Sequence, residues 1–530
     1  MLNFENYFEN KLFLLWLKNI IIMRNSLKRK SVLVLIFCFF SWYGYAQSEY
    51  KISIDMKNCK DTVAYLTFYQ LDKTYIKDTC TNIKNGKIVF NGKEKLNKGI
   101  YSLVSQQKSI VFDFFVDENT QNLKLKGDST SLNREVIAEN STQENDFFDY
   151  VKFIGEQNKT FATTKQQLIG LSKSDSLSKL IKTQKELDKN IRAYENQFLA
   201  KNQGSYIAEA ISLRNEKQLE DVPNASNGRP DSIKVYNYYK THYWDGVNFK
   251  DDATMRNPFF SNKLNKYFDN VVVANPDSVS VEIDRIMDKT APGMLLHKML
   301  LAHFTATYEN HKIMGFEKVF VHMVDTYFKT GKAVGTYEDD VIERIIKRSD
   351  KLKPLLIGSM APDLSMIRAS DHDKITRMGF DNAKSSAEVT KVFYDNVDEI
   401  NKLFYKLHEV KADYLILVFW DVDCGHCQKE IPKLLEEYHA LQKEHNDVKV
   451  LSVYTQYEGD KYVKYIEDNK LDWINVYDGA HFNNVTEKFD IYSTPVIYIL
   501  DKNKIIKAKR IGVEQIKAII KDIEAGYKSK

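Results

Sequence analysis

The chain has 530 residues with 76 basic and 72 acidic side chains, so its net charge of +4 creates no field strong enough to favour nucleic-acid binding. One hydrophobic core does not support a chain of this length, and we expect several domains. The sequence contains no Walker-type phosphate loop and no glycine fingerprint of a dinucleotide site, which argues against nucleotide-dependent enzymes.

The N-terminal part has the pattern of an export signal. Basic residues between Arg24 and Lys30 precede an apolar run over residues 31–43, and Gly44-Tyr45-Ala46 supplies the small residues of a cleavage site. We therefore predict that residues 1–46 are an N-terminal extension with a signal peptide, that Met23 is the more natural start, and that the protein is located in the periplasm or cell envelope. Cys38 lies inside the apolar run and is predicted to be a signal residue, not a lipid-attachment site.

Residues 47–135 are predicted to form an all-β sandwich or barrel. Short alternating segments recur over residues 49–128, and turn pairs such as Asn85-Gly86 separate them. Cys59 and Cys80 either form a structural disulfide or are separate buried residues; the sequence leaves both open.

Residues 136–353 are predicted to be an all-α domain, because apolar residues recur at heptad-like steps between Leu177 and Phe198. Four histidines lie in one helical stretch without the spacing of a zinc protease, so we expect no metal there. They are His297, His303, His311 and His322. An aromatic group over residues 238–244 either packs between helices or forms the floor of a ligand groove.

The last region, residues 354–530, is predicted to be an α/β domain. Residues 414–420 are apolar on both faces, which is typical of a central strand, and an amphipathic helix follows to about Lys443. The pattern then predicts a strand at 448–454, a helix at 462–469, a strand hairpin over 496–511 and a final helix. The stretch 367–387 is predicted to be a surface insertion.

Cys424-Gly-His-Cys427 lies where the predicted central strand changes to helix. Two cysteines in this spacing can form a disulfide ring, and at a helix start the first thiolate is favoured by the helix dipole. The spacing alone is a weak signal, because half of many zinc sites look the same. Binding of zinc by all four remaining cysteines is disfavoured, since Cys59 and Cys80 lack the tight spacing of a metal knuckle.

From about residue 356 to the end, the sequence resembles the exported bacterial branch of thioredoxin-like thiol-disulfide oxidoreductases. The resemblance rests on Met360-Ala-Pro-Asp363, Val418-Phe-Trp420, the cysteine pair, Glu430-Ile-Pro432 and Ser493-Thr-Pro495. It implies a thioredoxin fold with a cis peptide bond at Thr494-Pro495. It also implies substrate binding near Trp420, Thr494 and Pro495, and a helix interrupted by Pro432. The two N-terminal regions resemble uncharacterised modules that precede such domains.

The resemblance also implies roles at the site. Cys424 is the attacking nucleophile and Cys427 the resolving thiol. Cytoplasmic thioredoxins have a buried acid where this chain has Val418, whereas the exported branch has one at Glu430, which we expect to help deprotonate Cys427. The alternative is a solvated first-turn glutamate. His426 is expected to stabilise the Cys424 thiolate and so make the disulfide more oxidising, as in the disulfide isomerases.

The sequence thus predicts an exported thiol-disulfide oxidoreductase with no cofactor. Its partners would be protein thiols or disulfides in the cell envelope and a membrane or periplasmic redox partner. The alternative is an envelope binding or assembly protein in which the N-terminal modules act and the redox pair is auxiliary.

Overall fold

The structure is a computed structural model that describes residues 49–131, 135–168, 173–217, 219–444 and 447–526. The predicted signal peptide, Met23 and Cys38 lie outside the described residues. Within these ranges no helix is both long enough and apolar enough to cross a bilayer.

Two compact units make up the described chain: residues 49–68 and 74–202 form the first, and residues 69–73 and 203–526 the second. The domain boundaries predicted after residues 135 and 353 stay predictions.

The first unit contains two four-stranded sheets, in the strand orders β4-β1-β7-β8 and β3-β2-β5-β6. Alternating residues such as Ile52, Leu66 and Phe114 face a shared core, which is the pattern of the predicted sandwich. The strands are β1 (Tyr50–Lys57), β2 (Ala64–Gln70), β3 (Lys73–Cys80), β4 (Lys87–Gly92), β5 (Gly99–Val104), β6 (Ile110–Val116), β7 (Asn122–Asp128) and β8 (Ile137–Ala138). Cys59 and Cys80 pack against this core as unbonded thiols.

Two long helices complete the first unit, α1 (Thr142–Gln167) and α2 (Lys173–Lys201). Their contact is aromatic and polar: Phe153 and Tyr194 stack at 4.1 Å, and the Tyr150 hydroxyl donates to Glu195 over 2.7 Å. Glu144 at the start of α1 is buried and accepts from the Phe115 N–H of β6 at 3.1 Å, so the carboxylate joins the helix to the sheet.

The second unit begins with a helical region whose apolar faces form one core, including Leu300, Phe304 and Phe320. Its α-helices are α3 (Tyr206–Ser212), α4 (Ser232–His242), α5 (Pro258–Lys266), α6 (Pro276–Met287), α7 (Leu295–Glu309), α8 (Glu317–Met323) and α9 (Asp339–Leu352). The aromatic group predicted to be either packing or groove is part of this packing, since Tyr243 is buried and its ring lies 5.0 Å from that of Trp244.

The rest of the second unit is built on a seven-stranded sheet in the order β10-β9-β13-β12-β11-β14-β15. Its strands are β9 (Ser365–Arg368), β10 (Phe404–Lys406), β11 (Tyr414–Trp420), β12 (Val448–Tyr454), β13 (Ile474–Tyr477), β14 (Val496–Asp501) and β15 (Ile506–Lys509). Its helices are α10 (His372–Met378), α11 (Ser386–Asp395), α12 (Val397–Leu403), α13 (Cys427–Glu444), α14 (Gly459–Asn469), α15 (Val485–Lys488) and α16 (Ile516–Glu524). This is the α/β thioredoxin-like fold that the sequence implies.

The central strand β11 is buried on both faces, as its apolar run predicts. Leu415, Leu417 and Phe419 enter the core on one side of the sheet, and the alternate residues enter the core on the other. The strand runs parallel to β12 and antiparallel to β14, so the sheet is mixed and not purely parallel.

Two features of this region differ from the sequence interpretation. The short strand β13 and helix α15 lie between the predicted helix and the final hairpin, and four-residue elements are too short to show a clear period. The stretch 367–387 is not only a surface insertion, because its helical turns bury Ile375 and Phe380 in the sheet core.

A pH dependence follows from Glu144. Burial raises its pKa to about 8, although the Phe115 N–H bond acts in the opposite direction. The unfolded value is about 4.3, so the stabilisation is fully present below that pH and is lost as the pH rises towards 8.

We expect the unfolding midpoint of the first unit to fall over this pH range in the wild type and to fall less in Glu144→Gln. Glu139→Gln, which changes an exposed glutamate paired with Lys126, is the matched control. Calorimetry at several pH values measures this, and parallel pH profiles for wild type and Glu144→Gln would contradict the assignment.

Candidate functional site

The two paired cysteines lie at the carboxyl end of the central strand. β11 ends at Trp420, a turn over residues 421–426 follows, and helix α13 begins at Cys427. Phe419 is opposite Val496 in the neighbouring strand β14, so Thr494 and Pro495 lie beside the point where the chain leaves β11. The sheet register therefore brings together two segments that are about 70 residues apart in sequence.

Cys424 lies three residues before the first residue of helix α13 and makes contacts like those of an N-cap residue. Its carbonyl accepts from the Gln428 N–H at 3.0 Å, and its Sγ lies 3.4 Å from the backbone nitrogen of Cys427, which donates to it. An N-cap side chain accepts from an N–H of the first helical turn in a similar way. A thiolate at this place meets the positive end of the helix dipole and an N–H that has no partner within the helix.

The loop before β14 contacts the same sulfur. The Thr494-Pro495 peptide bond is cis, as the resemblance implies, and the Thr494 carbonyl accepts from Cys424 Sγ at 3.4 Å. A carbonyl accepts only from the protonated thiol, so this bond belongs to the neutral form. The Thr494 side chain acts oppositely, because its hydrogen bonding lowers the pKa of the sulfur.

The two sulfurs differ in acidity. Partial burial opposes ionisation of Cys424, but hydrogen bonds from the Thr494 and Cys427 side chains and from the Cys427 and His426 backbones outweigh it and lower its pKa. Burial raises the pKa of Cys427 to about 11, and bonding to Cys424 adds to this effect. The half-exposed Cys424 is thus the more acidic of the two sulfurs, while the buried Cys427 keeps its proton at neutral pH.

Space is open beside Gly425. Apart from its two neighbours in the chain, no heavy atom lies within 4 Å of the place where a Cβ at Gly425 would be, and His426 is exposed. The His426 backbone is among the hydrogen-bonding groups that lower the pKa of Cys424, and the expected effect of its imidazole stays a prediction. The acidic residues before the pair have their own partners, because Asp421 accepts from Gln456 and Asp423 pairs with Lys461.

Glu430 lies in the first turn of α13, and its carboxylate accepts from Lys433 Nζ at 2.7 Å. Burial raises the pKa of Cys427, and hydrogen bonding with Thr494, Asp421 and Cys424 also acts on it. The side chain of Glu430 is only 15% exposed, so it is not the freely solvated residue of the alternative interpretation. Its predicted proton-transfer role stays a prediction.

Trp420 does not present its ring to a substrate. It is fully buried, its indole N–H donates to Ser452 Oγ at 2.6 Å, and its ring packs against Tyr462 and Tyr465. We therefore correct the substrate-binding prediction: Trp420 supports the end of β11 from within. The sequence interpretation did not identify Tyr465 as a residue near the site. Burial and the nearby Cys427 both raise the pKa of Tyr465. One tyrosine in an amphipathic helix gives no signal of such a position.

Pro432 lies inside helix α13, as expected. Among the described residues, no group of three or more His, Cys, Asp or Glu side chains is placed to hold a metal ion.

Two family models match the chain. Residues 394–509 match the AhpC/TSA family, and residues 183–348 match a domain of unknown function, DUF5106. No curated protein matches the chain.

Several solved structures resemble parts of it. A domain of a possible thiol-disulfide isomerase from Cytophaga hutchinsonii is 31% identical, covering 33% of this chain and 99% of that one, with a TM-score of 0.26. A thioredoxin-like protein from Bacteroides caccae is 20% identical, covering 57% of this chain and 97% of that one, with a TM-score of 0.39. The thioredoxin domain of a thiol-disulfide oxidoreductase from Bacteroides vulgatus is 21% identical, covering 32% and 96%, with a TM-score of 0.24.

The contacts at Cys424 predict the effect of Thr494→Val. The change keeps the shape of the side chain but removes its hydroxyl, so the Cys424 thiolate loses a hydrogen bond. We expect roughly threefold to tenfold slower alkylation of Cys424 by iodoacetamide at neutral pH, measured by mass spectrometry of the reduced protein.

Ser493→Ala is the control, because it removes an exposed hydroxyl from the same loop. Equal rates for Thr494→Val and wild type would show that the Thr494 side chain does not favour the thiolate.

Proposed function

We propose that the protein exchanges disulfides with protein clients through Cys424 and Cys427. Its C-terminal domain is a thioredoxin-like oxidoreductase domain of the AhpC/TSA family. One observation carries the proposal: the accessible sulfur is the acidic one, and the sulfur behind it is buried with a raised pKa. A nucleophile followed by a protected resolving thiol needs this asymmetry.

The exchange begins when the Cys424 thiolate attacks one sulfur of a client disulfide. The client S–S bond breaks, the departing client thiolate takes up a proton, and a mixed disulfide joins Cys424 to the client. Cys427 then loses its proton and attacks Cys424 Sγ, which releases the second client thiol and leaves a Cys424-Cys427 disulfide. Two electrons pass to the client, and a thiol reductant must restore the pair. The same steps in reverse oxidise a client dithiol.

Deprotonation of Cys427 is the step that requires help, because burial keeps its proton in place. We assign this task to Glu430, whose carboxylate is sheltered in the same first helical turn. Its pairing with Lys433 means that a water molecule or a side-chain movement would have to connect it to the sulfur.

The client would bind along the loop at Thr494-Pro495. Pro495 has no N–H, and Ser493 is exposed, so this stretch offers backbone groups to an extended client segment. Main-chain pairing depends little on sequence and suits a client recognised chiefly by its cysteine.

The proposed place of action is the periplasm or cell envelope, supported by the basic and apolar pattern of residues 24–46. N-terminal sequencing of the protein from its native envelope is expected to find a mature chain starting at Gln47. A chain that keeps residues 23–46 and remains in the cytoplasm would contradict this placement.

Insulin reduction by dithiothreitol tests the enzymatic activity. We expect the wild type to accelerate it, Cys424→Ser to abolish the acceleration, and Cys59→Ser, which changes an unbonded cysteine of the first unit, to retain it. An inactive wild type or an active Cys424→Ser would favour the binding or assembly role instead.

Trapping tests the proposed order of attack. Without Cys427 the mixed disulfide is not resolved, so Cys427→Ser should accumulate covalent adducts on Cys424 that dithiothreitol releases. Adducts in Cys424→Ser at a similar level would reverse the assigned roles.

A further inference from the structure

The helical region contacts the loop that precedes the cis proline, and one of these contacts is to a buried carboxylate. Asp490 begins this loop, four residues before Thr494, and its side chain is only 1% exposed. Two residues of α9 reach it: Arg348 Nη1 donates to Oδ1 at 2.5 Å, and Lys351 Nζ lies 3.5 Å from the same oxygen.

The other carboxylate oxygen is bound from within the sheet domain. Arg510, just after β15, donates to Oδ2 at 2.8 Å and to the Asp490 carbonyl at 2.8 Å. Each oxygen therefore has its own guanidinium, one from the helical region and one from the sheet. A buried carboxylate needs such compensation, and removal of one partner leaves its charge partly unpaired.

The chain turns at Asp490, whose φ of 55° lies in the left-handed region that Asp adopts more readily than most residues. Ile491 is then anchored in the sheet core, while Tyr492 and Ser493 are exposed before the chain reaches Thr494. The ion pairs thus hold the first residue of the loop from Asp490 to Pro495, and the end of this loop contacts Cys424.

Helix α9 also contacts the exposed part of this segment. Tyr492 is 72% exposed, yet the Arg348 guanidinium donates to its hydroxyl at 3.2 Å and Lys351 Nζ lies 5.1 Å from its ring centre. Two successive points of the loop, Asp490 and Tyr492, are therefore held by the same helical turn.

We propose that the helical region is a positioning element of the redox site: Arg348 of α9 fixes the Asp490–Pro495 loop and thereby the contacts of Thr494 with Cys424. The proposal rests on the proposed function and gives the helical region a part in it. Arg348 touches neither the reacting sulfurs nor the client path at Pro495, so it acts through the loop.

The test compares Arg348→Gln with Arg344→Gln in the full-length chain. Arg344 lies one turn earlier on α9 and pairs with Asp340, and both side chains are about 70% exposed, so its loss removes the same charge without reaching Asp490. The readout is the alkylation rate of Cys424 in the reduced protein, which requires no client.

We expect Arg348→Gln to slow alkylation of Cys424 roughly threefold or more, Arg344→Gln to leave it within error, and Arg348→Lys to recover part of the rate. The difference should persist at about 1 M salt, where the Debye length is about 3 Å and long-range charge effects are screened. Insulin reduction by Arg348→Gln should fall in parallel.

An unchanged rate in folded Arg348→Gln, an equal loss in Arg344→Gln, or a loss that disappears in high salt would overturn the proposal. If Arg348→Gln does not fold, Lys351→Gln loosens the same carboxylate, and an unchanged rate there would overturn it as well. A wild type that reduces no insulin would instead refute the proposed function, while the alkylation comparison would still report on the loop.

Discussion

The site depends on a difference in solvation between two sulfurs that are three residues apart. Cys424 lies at the edge of the fold with N–H groups directed at it, whereas Cys427 lies inside the first turn of α13 among apolar residues. The peptide dipoles that favour the first thiolate are fixed by the helix, so they need no reorganisation when charge forms.

The sheet maintains it by register. β11 is buried on both faces. Its pairing with β14 places Thr494 beside Cys424, although the two residues are far apart in sequence. Trp420 ties the end of the strand to β12 through its bond to Ser452, and it belongs to the same core as Cys427. The helical region adds a further constraint, because Arg348 of α9 forms an ion pair with Asp490 at the start of the Asp490–Pro495 loop.

Much of this was accessible from sequence because the relevant signals are local. A run of β-branched and aromatic residues predicts the central strand, and two cysteines at its end predict the chemistry. What sequence did not give were contacts between distant segments: the buried state of Trp420, the position of Tyr465 behind Cys427, and the pairing of Arg348 with Asp490, 142 residues away. These depend on packing and not on periodicity, and the short elements β13 and α15 fall below the length at which a period is visible.

The most direct test is a pH titration of thiolate absorbance at 240 nm in the reduced wild type and in Cys424→Ser. We expect one thiolate to form below the ordinary pH range of a cysteine in the wild type and this step to be absent in Cys424→Ser. We expect Cys427 to ionise only near pH 11. A wild-type titration in which Cys427 ionises first, or in which Cys424 shows an ordinary or raised pKa, would contradict these assignments.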